Sequence, residues 1–221
     1  MFKKIALTTL LMASAFGAQA AGSAPFGVTG TITPAACDVT LTGGIVNLGT
    51  ISTVAVRASS VYFATTYQLA SIVVPINITC SAATRVEVAF IDNKSASNFA
   101  INANDAQRFG IADGSGTTAI GGYQVGFVNT TIDSVAVAQF LSATTGTTAY
   151  FAATIPTVPA MWAAPGRTNA FSKTGGATTP DSLTTLTGNL TFAIFLSKSY
   201  VDSATNSITP NGSGTLSLVY L

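Results

Sequence analysis

Two cysteines, Cys37 and Cys80, and eight acidic residues are the only side chains here with obvious chemistry, and histidine is absent. A chain without His lacks the commonest general base and the commonest metal ligand. One Cys pair makes a poor metal site when no further Cys or His can complete a tetrahedral set. It makes a good disulfide, because only one pairing is available. The Asp and Glu residues are scattered from Asp38 to Asp202 without the close pair a glycosidase needs. A hydrolytic Ser or Thr would have to borrow a Lys base, and beyond residue 20 only Lys94, Lys173 and Lys198 remain. Ser197-Lys198-Ser199 follows an alternating segment and reads as its solvated end. Asp113-Gly114-Ser115-Gly116 with Gly121-Gly122 has the glycines of a phosphate loop but neither the Gly-Lys-Ser/Thr ending nor a helix to follow, so it reads as a hairpin or loop. The expectation is a non-enzyme with no metal and no cofactor.

Composition narrows the partners. Of 221 residues, 48% are hydrophobic and 8% charged, and 34 Thr and 20 Gly take the place of charge. Disorder needs the opposite balance. No basic cluster exists to neutralise phosphates, which argues against nucleic acid. Residues 1–20 carry Lys3 and Lys4, an apolar run from Ile5 to Phe16, and Ala18-Gln19-Ala20, the layout of a cleaved export signal. That run is shorter than the roughly 20 residues of a membrane span. Removing the segment leaves seven basic against eight acidic residues and moves the formal charge from +1 to −1. No later apolar run is long enough to span a bilayer, so the product is expected to be exported and not an integral helical membrane protein. Export to an oxidising compartment favours the Cys37–Cys80 bond. Closing a loop of roughly 43 residues is worth about 4 kcal/mol in the chain-entropy model.

Period-2 alternation dominates the rest. It runs through Val74, Ile76, Ile78 and Cys80, then Val86, Val88 and Phe90, then Tyr123, Val125 and Phe127. It returns at Leu190, Phe192, Ile194 and Leu196, and finally at Leu216, Leu218 and Tyr220. Gly-rich turns separate these segments, at residues 113–116, 173–176 and 210–214. Residues 99–109 could hold a short helical turn, residues 134–141 fit helix or strand equally, and residues 158–164 around Trp162 read as a loop packed on the body. Several short strands with turns between them predict an antiparallel sandwich.

Several of these residues stand in a familiar order. Gly30-Thr31-Ile32-Thr33-Pro34-Ala35-Ala36-Cys37 resembles the first strand of the chaperone–usher pilins, with Leu48-Gly49 after it. Cys80 ends an alternating strand about forty residues later, and Gly214–Leu221 closes the chain with a penultimate Tyr. More narrowly, both ends are similar to pilin-like exported proteins of proteobacteria. The resemblance implies an all-β, immunoglobulin-like (pilin-type) antiparallel sandwich with an elaborated middle, spanning residues 30–221 and lacking its seventh strand. It implies assembly into a surface fimbria through a periplasmic chaperone, an outer-membrane usher and other fimbrial subunits, by addition of a donor strand. Leu216, Leu218 and Tyr220 would line one edge of the open groove, and basic residues of the chaperone would hold the carboxylate of Leu221. Residues 21–29 would be the N-terminal extension, with Phe26 and Val28 as donor side chains. The match is poorest over residues 93–173, where loops or extra strands and any receptor contact are expected. The other reading is a solitary periplasmic or secreted sandwich with a complete set of strands and a ligand of its own. An outer-membrane barrel also alternates, but 9% aromatic residues are few for two interfacial girdles.

Overall fold

The alternation of residues 74–80 is realised directly. Val74, Ile76, Ile78 and Cys80 are buried, while the residues between them face solvent. A computed structural model describes residues 35–43, 48–62, 64–97, 107–153 and 160–221. Residues 1–20, read above as an export signal, the segment 21–29 with Phe26 and Val28, and most of the helical turn considered over residues 99–109 lie outside the described residues.

In chain order the elements are β1 (Cys37–Leu41), α1 (Thr53–Arg57), β2 (Ser60–Tyr62), β3 (Thr66–Gln68), β4 (Ile72–Thr84) and β5 (Val86–Asp92). Then come β6 (Phe109–Ala112), β7 (Ala119–Ile132), β8 (Val135–Ala136), β9 (Gln139–Thr144), β10 (Phe151–Ala153), β11 (Ala160–Trp162) and β12 (Arg167–Ser172). The chain closes with β13 (Leu183–Ser197), α2 (Lys198–Ser203), β14 (Asn211–Gly212) and β15 (Gly214–Tyr220).

One sheet has the order β1-β4-β13-β7-β6-β14, with β3 continuing along β13 and β8 and β11 along β7. The other has the order β10-β9-β12-β5-β15. All strand pairs are antiparallel. The fold is an all-β, immunoglobulin-like sandwich. The sequence β1-β4-β13-β7 corresponds to strands A-B-E-D of that architecture and β5-β15 to C-F.

The inner faces meet around Phe127, whose ring packs edge-on against Phe171 at 5.0 Å and Phe90 at 5.7 Å. Each such side chain contributes about 1.5–3 kcal/mol on burial. A second cluster, with Val56, Tyr67, Ile194, Leu196, Val201 and Ile208, sits under α1 and α2. At Gly121 strand β7 lies tight against β13. A Cβ there would lie 2.1 Å from the carbonyl oxygen of Phe195, so no other residue fits. That contact, not a phosphate, accounts for the glycine.

The structure decides one open reading and changes two others. Residues 134–141 are strands β8 and the start of β9. Residues 160–162 form β11 instead of a loop, because β7 outruns β6 and its edge at Gly126–Val128 takes Ala160–Trp162 as a partner. Lys198 opens helix α2 and does not merely end a strand; the Ser197 hydroxyl caps it by accepting from the Tyr200 N–H. Of the two expectations for residues 93–173, the described ones take the second: they supply β6 to β12, woven into both sheets.

Candidate functional site: a gap between two edge strands

The disulfide is formed between Cys37 and Cys80, which face each other directly across β1 and β4. It anchors β1 as the edge of the first sheet. At the edge of the second sheet lies β15, paired only with β5 among the described residues. In the immunoglobulin arrangement strand G belongs beside F, and no described strand bonds that side of β15.

The two edges run antiparallel on either side of a gap. Cys37 and Tyr220 meet at one end, where the Cys37 N–H donates to the Tyr220 hydroxyl at 2.7 Å. Leu41 and Leu216 line the same cavity toward the other end. There Ile51 and Ile208 close the chain with two backbone hydrogen bonds of 2.8 and 2.9 Å. Hydrogen-bonding direction alternates from residue to residue along a strand. The Ala36 carbonyl accepts from Ser81 and the Thr42 N–H donates to Pro75, so these groups face β4. The backbone groups of Cys37, Val39 and Leu41 therefore face the gap. On the other side Ser213 and Leu221 bond toward β5, which turns the backbone groups of Leu216 and Leu218 into the gap as well.

The side chains tell the same story. Inward residues of the interior strands are almost fully enclosed, as with Ile78 and Val88, both 0% exposed. Their counterparts at the margins, Val39 and Leu41 on β1 and Leu216 and Leu218 on β15, pack on the same core but are only half-buried. Of the residues assigned to this edge from sequence, Leu216 lines the cavity and Leu218 packs beside it. Tyr220, 48% exposed, instead spends its hydroxyl on Cys37. Leu221 is exposed, its N–H on the Arg85 carbonyl.

Between the margins lies a cavity of about 600 Å³ lined without any charged side chain. Its floor is aromatic: Tyr123 stacks on Phe109 at 5.1 Å and lies 6.2 Å from Phe192. Burial, helped by the nearby Asp92 carboxylate, holds the Tyr123 phenol far above its usual range. Asp92 itself accepts from Lys94 and Gly110 N–H groups and ties β5 to β6. Over Tyr123 the chain passes from the first sheet to the second, since β14 pairs with β6 and β15 with β5. Gly214 allows that crossing: a Cβ there would meet the Tyr123 hydroxyl at 2.8 Å and the Ile91 carbonyl at 3.2 Å. Sequence reasoning read Gly212 and Gly214 as a turn and Tyr123 as plain core. The Gly-x-Gly spacing directly before a strand was the only local sign of a sheet crossing.

A disulfide-pinned, immunoglobulin-like sandwich whose F-strand edge, over an apolar gap, is covered by no described strand is the class of protein this geometry defines. The chain belongs to the family described as "Protein of unknown function (DUF1120)", whose model matches residues 26–138. No curated protein and no solved structure matches it. Among the described residues no helix is long and apolar enough to cross a membrane.

Proposed function

We propose that this protein is an exported subunit of a surface fimbria, structural or at the tip, built by addition of a donor strand to its gap. A periplasmic chaperone holds that edge first, and an outer-membrane usher exchanges it for a strand of the next subunit. The observation that supports this most is the half-burial of Val39, Leu41, Leu216 and Leu218 on both margins of one gap. An added strand supplies backbone partners to both edges, and its alternate side chains fill the spaces between them. The resemblance of both chain ends to pilins supports the same reading.

The test is capture. The chain should co-purify with a fimbrial chaperone in the periplasm and enter fibres in a host that has the chaperone and usher. Leu218→Asp places a charge where the incoming strand must pack and should abolish both. Equal capture of Leu218→Asp would sink the proposal.

A second reading has its own support. The gap is tied at both ends, by Tyr220–Cys37 and Ile51–Ile208, and a cavity of about 600 Å³ falls within the range of small-molecule sites. On that reading the protein is a solitary exported sandwich with a neutral ligand, and it ignores the chaperone.

A further inference from the structure

The two ends of the gap are closed differently, and at one of them a side chain does the work of a strand. The backbone N–H and C=O of Cys37 both face the gap, since its neighbour Ala36 bonds toward β4. No described strand pairs with that side of β1. A strand laid along it would meet both groups with one residue of its own, by the two bonds that opposed residues exchange. In the structure the Tyr220 phenol meets both instead. The Cys37 N–H donates to its oxygen at 2.7 Å, and its hydroxyl donates back to the Cys37 carbonyl at 3.5 Å. A hydroxyl carries the one donor and the acceptor lone pairs that this takes.

The core does not need that contact. Tyr220 is 48% exposed and both bonds lie at the surface. Water satisfies an exposed backbone group nearly as well, so the net gain is small. What the contact does is cover the end of an edge. Free edges pair readily with other chains, and folded proteins blunt them. A strand that bonds β1 as far as Cys37 competes for the same two atoms. It must expel the phenol.

We infer that Tyr220 is a built-in cap on the gap, which holds the place of the incoming strand until that strand displaces it. The inference rests on the strand-addition reading and adds to it a residue that opposes capture.

Competition for capture tests it. Wild type and Tyr220→Phe, carrying different tags, are expressed at equal levels in the periplasm with a limiting amount of a fimbrial chaperone. Phe keeps the ring and loses the hydroxyl, which uncaps the edge. The variant should take roughly 2- to 10-fold more chaperone than wild type, the worth of one exchanged hydrogen bond. Tyr67→Phe is the control. It loses a bond from the Tyr67 hydroxyl to Asp202 at 2.9 Å, beside α2, and should compete like wild type. Hydrogen exchange gives a second readout. The Cys37 amide should exchange faster in free Tyr220→Phe than in free wild type. In the two captured proteins it should exchange at one rate, because the added strand now bonds it. Equal or weaker capture of Tyr220→Phe, or an equal gain by Tyr67→Phe, overturns the inference while strand addition stands. So does a Cys37 amide that still exchanges more slowly in captured wild type than in captured Tyr220→Phe, since the phenol has then stayed in place. Capture of none of the three overturns the inference and the strand-addition reading together.

Discussion

Asp133 sits at φ +48° in the turn between β7 and β8, and its Oδ1 gathers hydrogen bonds from the Thr184 hydroxyl and N–H and the Thr185 N–H. Those bonds, the Thr184 hydroxyl first and the Lys173 ammonium 3.6 Å away last, hold its carboxyl at about 2. A folded-state value below the unfolded one of about 3.9 stabilises the fold above pH ~4, and that stabilisation is lost as pH falls toward 2. Asp133→Asn should therefore lower Tm at pH 7, while melting curves of variant and wild type converge near pH 2. A constant difference across that range would assign the effect to packing instead. Tyr123 and Gly214 make a second residue-scale case. Gly214→Ala forces a methyl against the Tyr123 hydroxyl and should cost about 1–3 kcal/mol in urea unfolding. Adding Tyr123→Phe removes the closest atom and should recover part of that loss, because the contacts are shared.

At the scale of elements, each strand's exposure follows from its neighbours. β5 reads as a half-buried alternating strand, yet Glu87 on its outer side is only 1% exposed. The Tyr150 hydroxyl donates to the Glu87 carboxylate, and burial together with that bond raises the phenol above its ordinary range. Residues 145–148, between β9 and Tyr150, are all exposed, and Gly146 takes φ +84° in their turn. Deleting residues 145–148 should leave soluble, cooperatively folding protein within about 1 kcal/mol of wild type, as expected of a loop tip. Aggregation of that variant would mean that β9 and β10 need this connection to pair.

For the whole molecule the disulfide matters most through what it anchors. β1 has β4 as its only described sheet neighbour, and Cys37 also holds the Tyr220 hydroxyl at the foot of the gap. Replacing both cysteines by Ala should cost about 2–4 kcal/mol in urea unfolding. Limited proteolysis should then cut first near β1, because the edge strand loses its covalent tie while the β4–β13–β7 centre stays paired. Uniform loss of protection across the sandwich would show instead that β1 is integral to the cooperative core. Long-range pairing also dictates how the molecule is tied together: β15, the last strand, reaches back to β5, and Tyr220 to Cys37.

Alternation and cysteine arithmetic are local, and they were legible. Period 2 put Ile76, Ile78, Val125, Phe127 and Leu190 inside, where they are buried, and one Cys pair allowed only the bond that forms. A strand with one apolar face alternates in the same way at the edge and at the centre of a sandwich, so Leu216, Leu218 and Tyr220 could be read as either. Only the order of strands in space decided that β15 is an edge among the described strands, that Leu216 meets a cavity shared with Leu41, and that Tyr220 turns aside to Cys37. The same holds for Ala160–Trp162, whose Pro-flanked sequence resembles a loop and which is a strand because β7 left an edge for it. Side-chain period is set by the backbone of one segment, whereas pairing, burial on the second face and the crossing at Gly214 are set by segments far away in the chain.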